Sequence, residues 1–254
     1  MLFLLTITST FLSTALTTGA TSVLVPLYIY PNDSTGNRLP LTNKINAHQG
    51  NLTYEAVINP NSGPGGNYPN SGYITSIQNL TANYNLWVIG YIPTGYGNRT
   101  LKVIEADIVS YAAWGKHAPV GIFFDEVDNG MVAGSTKIIT NAVASASKQG
   151  FQYPFTLKID NIPVPSVQDA YLGAADHLVV FEQAYGNYGA QTNAIKNFVD
   201  AGDATTDQIS ILVHDMPSAA QDKNLALMEL TAKFTGERYG SVYLTIFSLR
   251  CWGG

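Results

Sequence analysis

The feature that most constrains the fold of this chain is a repeated alternation of short apolar runs with amphipathic segments. Eight runs are rich in β-branched and aromatic residues and are bounded by Gly, Pro or Asn, which predicts β-strands. The strands are predicted at residues 23–30, 54–59, 86–92, 120–125, 155–160, 177–182, 209–214 and 242–247. Between most of them, apolar residues recur at three- and four-residue spacing, which predicts helices. The helices are predicted at residues 74–84, 101–114, 131–148, 192–201 and 219–234.

Eight strands with intervening helices predict an α/β chain folded as a single (β/α)8 TIM barrel. Nearly continuous apolar strands are also typical of a parallel sheet that is covered on both faces. The alternative is a doubly wound open sheet, which would need a glycine-rich phosphate-binding turn after its first strand, where this chain has Tyr28-Ile29-Tyr30-Pro31. We expect one domain over residues 21–254, with its last βα unit truncated near Gly254.

Two of the predicted strands end in carboxylates. The run GIFFDE at residues 121–126 ends in Asp125 and Glu126, and the run HLVVFE at residues 177–182 ends in Glu182. In parallel α/β folds the chemistry lies at the carboxyl ends of the strands, because the loops that follow can surround a substrate there. Two acids on one rim predict acid/base work, above all glycosidic bond cleavage. An acid at a strand end can also cap the next helix, and for Glu126 this reading stays open.

The alternation of side chains along a strand assigns roles to these acids. It predicts that Asp125 shares a face with Phe123 and that Glu182 shares a face with Val180. On the fourth and sixth strands, the carboxyl groups are expected to lie roughly 5–6 Å apart, near the value for a retaining glycosidase, although an inverting pair stays open. We expect Asp125 to be the nucleophile and Glu182 the general acid/base. Glu126 would orient Asp125 or bind a sugar amino or N-acetyl group.

Further strand-end residues are candidates for contacts with sugar. Tyrosine can stack on a sugar face and donate its hydroxyl, and Asn and His can bridge sugar hydroxyls. These substrate-binding candidates are Tyr28, Asn59, Tyr91, Tyr185 and His214.

The composition restricts the partners of the chain. A net charge of −5 argues against nucleic acid or an anionic membrane as a partner. With 12% charged residues and 15 tyrosines, a neutral sugar polymer is the better match. The chain has no Gly-x-Ser-x-Gly elbow, its four histidines lack metal-ligand spacing, and Cys251 is its one cysteine. We therefore expect a monomer that needs no metal and no cofactor.

The first twenty residues are typical of a secretion signal peptide. The uncharged stretch from Leu2 to Leu16 is apolar or hydroxyl-bearing, and Thr18-Gly19-Ala20 is a small-residue cleavage site. Asn-x-Ser/Thr sequons at Asn32, Asn51, Asn79 and Asn98 are compatible with an exported glycoprotein. The predicted location is extracellular, including association with a cell wall.

A series of segments along residues 23–215 carries a resemblance to a known family. The segments are VPLYIYP at 25–31, AVINPNSGPG at 56–65, Gly90-Tyr91, Thr94, Tyr96-Gly97, Arg99, Asp107-Ile108, Tyr111, Trp114, GIFFDE at 121–126, Phe181-Glu182 and Tyr185. With these segments the chain resembles the spherulin-4-like glycoside hydrolases, glycoside hydrolase family 135.

The resemblance implies a (β/α)8 barrel with endo-α-1,4-galactosaminidase or N-acetylgalactosaminidase activity on galactosamine-containing polymers. It also implies that the acidic trio of the family falls on Asp125, Glu126 and Glu182. The chain departs from the family at the end of the fifth strand, where Lys158-Ile159-Asp160-Asn161 replaces Asn-Pro-Gly, and on the last strand, where Ile246 follows Thr245. The rival function is a non-catalytic, wall- or coat-associated carbohydrate-binding protein on the same barrel, because fold alone does not separate the two.

Overall fold

A parallel sheet of eight strands, paired in chain order, forms the framework of the protein. The computed structural model describes residues 21–31, 45–46, 52–159, 161–201, 204, 208–214 and 243–246. The last strand lies beside the first, so the sheet curls into a barrel, and the predicted (β/α)8 architecture is confirmed. The strands are β1 (Thr21–Leu27), β2 (Leu52–Ile58), β3 (Leu86–Pro93), β4 (Gly121–Asp125), β5 (Phe155–Lys158), β6 (His177–Ala184), β7 (Ile209–His214) and β8 (Tyr243–Ile246).

Helices follow most of these strands. Those described are α1 (Ser71–Thr81), α2 (Leu101–Ala112), α3 (Ser135–Lys148), α4 (Pro165–Ala174) and α5 (Tyr185–Asp200), with a short 3₁₀ turn at Gly115–His117. Among the described residues, no helix has both the length and the apolar character needed to cross a bilayer. The predicted helix at 219–234 and the predicted signal peptide at 1–20 lie outside the described residues.

Helix α4 and the start of α5 differ most from the sequence-based prediction. No helix is predicted between the strands at 155–160 and 177–182, where the chain forms α4. Pro165 is the first helical residue, a position where its missing N–H costs nothing and its fixed φ favours the helix. The next helix, α5, begins at Tyr185, directly after β6, and not at residue 192.

The alternation of side chains along the strands produces two apolar clusters. The smaller one fills the barrel with residues from β1, β2, β3, β4, β6 and β7: Leu24, Val57, Ile89, Tyr91, Phe123, Val179 and Leu212. The larger one lies outside the barrel and includes the alternate residues, such as Ile58, Ile92 and Phe124, together with helix residues such as Ile104 and Ile139. Residues that follow the inner register therefore reach the mouth of the barrel at the strand ends.

A bulge in β6 changes which residues of that strand face inward. The pairing register between β6 and β7 shifts between Val179 and Phe181. Val179 packs in the inner cluster, whereas Val180 and Phe181 both pack in the outer cluster. The prediction that Glu182 shares a face with Val180 is therefore wrong, because one extra residue inverts the alternation beyond it. Simple alternation from Val179 would turn Glu182 outward, whereas the bulge turns it toward the barrel mouth.

Candidate active site

Asp125, Lys158 and Glu182 form a compact cluster of charges at the carboxyl end of the barrel. The Lys158 ammonium lies 2.8 Å from Asp125 Oδ1 and 2.6 Å from Glu182 Oε2. These two carboxylate oxygens therefore lie at most about 5.4 Å apart, a limit compatible with the carboxyl separation of roughly 5–5.5 Å in retaining glycosidases. The three side chains come from β4, β5 and β6, which are adjacent in the sheet.

The carboxylates differ in their exposure to solvent. The Asp125 side chain is 11% exposed and the Glu182 side chain is 34% exposed. The Lys158 side chain is 9% exposed, so it is at least as buried as the Asp125 side chain. A charge this deeply buried is costly unless it is paired and hydrogen-bonded, and Lys158 and Asp125 meet this need for each other. Of the two carboxylates, Glu182 is the one with ready access to water.

Tyr91 on β3 is the hydroxyl neighbour of Asp125. Its hydroxyl donates a hydrogen bond to the Asp125 carboxylate. Burial raises the pKa of the Tyr91 phenol far above its ordinary value, and the negative charges of Asp125 and Glu126 raise it further. Tyr91 therefore stays a neutral donor throughout the physiological range. Tyr28 packs edge-on against Tyr91, with ring centroids 5.5 Å apart, and so lines the same part of the barrel.

Glu126 contributes to the site through both its backbone and its charge. Its backbone N–H donates to Asp125 Oδ1 at 2.7 Å, so the orienting contact to Asp125 comes from the main chain. Its carboxylate lies near enough to the Tyr91 hydroxyl to affect the pKa of that phenol. The residue has a positive φ of 56°, a left-handed conformation that is uncommon for a side chain of this size.

A second left-handed residue, Tyr96, is bonded directly to this turn. Tyr96 has a φ of 50°, is about half exposed, and donates its backbone N–H to Glu126 O at 2.6 Å. The buried Thr94 hydroxyl lies within hydrogen-bond distance of Asp125 O and Glu126 O, at 2.9 and 2.7 Å. Left-handed residues that are held by several bonds cluster at functional sites, because the surrounding contacts must offset their strain. The β3–α2 turn therefore stabilises the backbone of Asp125 and Glu126.

The helix-capping alternative for Glu126 is not what the structure shows, because Asp128 makes the contacts of the β4–α3 loop. Asp128 Oδ2 accepts hydrogen bonds from Gly130 N, Val132 N and Ser135 Oγ, all at 2.8–2.9 Å. Ser135 is the first residue of α3. The third acid after the GIFF run is thus the one that organises the loop leading into the helix.

The other predicted sugar-contact residues have different placements. The Asn59 side-chain oxygen accepts a hydrogen bond from Gly63 N at 3.0 Å, so this residue shapes the loop that follows β2. Tyr185 begins α5 and His214 ends β7. The side chains of Tyr185 and His214 lie outside what the structure describes.

Several residues that carried the sequence resemblance build the wall behind the site and do not contact the acids. The Tyr111 hydroxyl lies 3.3 Å from Ile58 O and 3.2 Å from Tyr91 O, and so connects α2 to the ends of β2 and β3. Arg99 pairs with Asp107 at 2.8 Å and also donates to Pro93 O. Trp114 Nε1 donates to Gly66 O at 2.8 Å. These contacts fix the loops after β2 and β3.

Lys158 is the functional residue that sequence reasoning missed. A signal for it was available, because Phe155 and Leu157 are apolar and pack outward, so alternation turns Thr156 and Lys158 into the barrel. A lysine in the inner register at the end of a barrel strand is a charged group aimed at the mouth.

Within the described part of the chain, no cluster of three or more His, Cys, Asp or Glu side chains could hold a metal ion.

The chain is similar to proteins of a known family. The profile of spherulation-specific family 4 matches residues 22–252. Spherulin-4 of Physarum polycephalum is 34% identical over 181 residues, which cover 68% of this chain and 48% of that protein. The chain thus spans about half the length of that relative.

Solved structures agree with this assignment. The crystal structure of Aspergillus clavatus Sph3 in complex with GalNAc matches with a TM-score of 0.74 at 28% identity, and the match covers 90% of each chain. A Toxoplasma gondii ME49 protein described as a deoxyribose-phosphate aldolase matches with a TM-score of 0.52 at 12% identity, over 89% of this chain and 86% of that one. At this low identity the second match concerns the barrel fold alone. The profile matches nearly the whole chain, and the chain is similar to spherulin-4. The chain therefore belongs to spherulation-specific family 4.

Proposed function

We propose that this protein is a retaining, endo-acting glycoside hydrolase. Its substrate would be α-1,4-linked galactosamine or N-acetylgalactosamine in galactosaminogalactan-type polysaccharide. The observation that carries the proposal is the approach of Asp125 and Glu182 to one ammonium, which keeps the two contacting carboxylate oxygens no more than about 5.4 Å apart, less than the carboxyl separation typical of inverting enzymes. The similarity to Sph3, whose crystal structure contains GalNAc, supports the sugar class.

In the proposed mechanism, Glu182 donates a proton to the glycosidic oxygen while Asp125 attacks the anomeric carbon. The bond from the anomeric carbon to the glycosidic oxygen breaks, and a covalent glycosyl-enzyme forms on Asp125. Glu182 then takes a proton from water, which attacks the same carbon and releases Asp125. The greater exposure of Glu182 suits the residue that must exchange protons twice in each cycle.

The neighbours of Asp125 suit the role of a nucleophile. The backbone N–H of Glu126, the Tyr91 hydroxyl and the Lys158 ammonium all donate to its carboxylate. These donors fix the orientation of the carboxylate and stabilise its negative charge before a sugar binds. Tyr28, which is partly exposed and packs on the buried Tyr91 ring, presents aromatic surface that suits packing against a sugar ring.

The proposal is tested by incubating purified protein with galactosaminogalactan and with deacetylated polygalactosamine, followed by mass analysis of the released oligosaccharides. We expect oligomers from at least one polymer. Asp125→Asn and Glu182→Gln should each remove nearly all release, since general acid/base help alone is worth roughly 10²–10⁴-fold in rate. Asp169→Asn, on the exposed surface of α4, is the matched control and should release products at the wild-type rate. Near-native turnover in either active-site variant refutes the assignment.

The second candidate function is a wall- or coat-associated protein that binds the polymer without cutting it. The observation that favours it is the Lys158 ammonium, which occupies the space between the two carboxylates. The same incubation separates the two functions when it is combined with a polymer pull-down. Retention on the polymer without any released oligosaccharide would support the binding protein.

We also infer that the protein is exported and acts outside the cell. The support is the uncharged apolar stretch in residues 1–20, which ends in small residues just before β1. N-terminal sequencing of secreted protein should give a start near residue 21. Secreted material that begins at Met1 would contradict the inference.

A further inference from the structure

We propose that Lys158 is a positioning residue of this active site, holding Asp125 and Glu182 in their working arrangement. The inference rests on the proposed function and deepens it by adding a third charged group to the two acids. It starts from the contacts of 2.8 and 2.6 Å that one ammonium makes with both carboxylates.

The position of Lys158 is fixed by the strand that carries it. Phe155 and Leu157 are buried in the outer cluster, which turns Thr156 and Lys158 into the barrel. β5 pairs with β4 on one side and with β6 on the other, so Lys158 lies between the strands that carry the acids. Because its side chain is 9% exposed, water supplies little of the solvation that its charge needs.

The titratable groups around Lys158 come from three strands and one turn. β4 supplies Asp125, β6 supplies Glu182, β3 supplies the neutral Tyr91 phenol, and the turn after β4 supplies Glu126. Among these described groups, Lys158 is the cation that faces the carboxylates. Without it, two carboxylates would face each other across a gap of a few ångströms, and their repulsion would favour protonation of one or the other.

Two consequences separate this role from simple packing. The ammonium contacts both carboxylates, so its removal should disturb their orientation and lower kcat more than it changes KM. Repulsion between the carboxylates also exists only when both are ionised. A variant without the ammonium should therefore lose stability progressively as pH rises, whereas lost packing would act equally at every pH.

The experiment compares Lys158→Met and Lys158→Gln, which remove the charge, with Lys158→Arg, which keeps it. Lys137→Met, at an exposed position of α3, is the matched control. Each variant is melted at pH 7 and at about pH 4, where free carboxylates are near half protonation. We expect the Met and Gln variants to melt well below the wild type at pH 7 and to approach it at the lower pH. The Arg and control variants should follow the wild-type pattern.

Activity supplies the second measurement. The Met and Gln variants should lose kcat with a smaller change in KM, because the carboxylates lose the contact that holds their orientation. An equal melting deficit at both pH values, or failure of both variants to fold even at the lower pH, would overturn the proposal. If even the wild type releases no oligosaccharide, the proposed function fails, while the melting comparison still decides the role of Lys158.

Discussion

Replacing Thr94 with Val tests whether the β3–α2 turn holds Asp125 and Glu126 in place. The substitution removes one buried hydroxyl and keeps the branched shape of the side chain. That hydroxyl reaches Asp125 O at 2.9 Å and Glu126 O at 2.7 Å. Both carbonyls belong to the backbone that carries the proposed active-site acids.

The expected loss of stability depends on the hydrogen bonds that the two carbonyl oxygens keep in the variant. Asp125 O still accepts Thr94 N at 2.8 Å, and Glu126 O still accepts Tyr96 N at 2.6 Å. Neither carbonyl is orphaned, so the free energy of unfolding should fall by the net worth of the one hydrogen bond that the hydroxyl proton shares between them, about 0.5–1.5 kcal/mol. For a chain of this size, each kcal/mol lowers the melting temperature by roughly 2–4 °C.

A kinetic effect should accompany the loss of stability. Glu126 and Tyr96 have φ values of 56° and 50°, and the lost bonds help to hold that conformation. When Glu126 relaxes, its N–H moves from its position 2.7 Å from Asp125 Oδ1. We expect kcat to fall roughly tenfold, the equivalent of about 1.4 kcal/mol, with little change in KM.

The assay pairs urea unfolding with the release of oligosaccharides, and Thr94→Ser, which keeps the hydroxyl, is the matched control. A double-mutant cycle with Glu126→Gly isolates the strain, because glycine adopts a positive φ at little cost. In that background Thr94→Val should cost less stability, by up to about 1 kcal/mol. If Thr94→Val and Thr94→Ser match the wild type in both unfolding and kcat, the hydroxyl does not brace the acids.

Three further predictions follow from the structure. The Cβ of Gly121→Ala would overlap Pro154 O, a backbone atom, so we expect a loss of about 1–3 kcal/mol in urea unfolding, whereas Gly173→Ala, with nothing within 4 Å of its Cβ, should be tolerated. Burial raises the pKa of the Tyr111 phenol well above its ordinary value, so the folded protein keeps a proton that the unfolded chain loses. The contribution of Tyr111 to the free energy of unfolding should be fully present below about pH 10 and should fall by up to about 1.4 kcal/mol per pH unit above it. Tyr111→Phe is expected to be less stable at neutral pH, but its free energy of urea unfolding should decline less steeply at high pH. The earliest product should keep the α configuration in proton NMR, and a β-anomer appearing first would mean that Asp125 acts as a base through water.

The sequence was sufficient to predict the barrel because the pattern that encodes it is local. Each strand is a short apolar run and most helices are amphipathic stretches, so burial can be inferred one segment at a time. The same locality placed Asp125 and Glu182 at the rim, since each follows its own apolar run. It failed for α4, because prolines before a helix and prolines in a loop look alike until the helix packs.

What only the tertiary structure decided depends on relations between strands. The face on which Glu182 lies is set by a register shift between β6 and β7, and no periodicity within β6 reveals such a bulge. The role of Lys158 depends on partners from the two neighbouring strands, which are far away in the sequence. Local apolar periodicity determines where strands form and end, because burial is a property of each segment. The pairing of charges at the barrel mouth is decided only when the sheet closes, because a side chain meets its partner through the register of the strands.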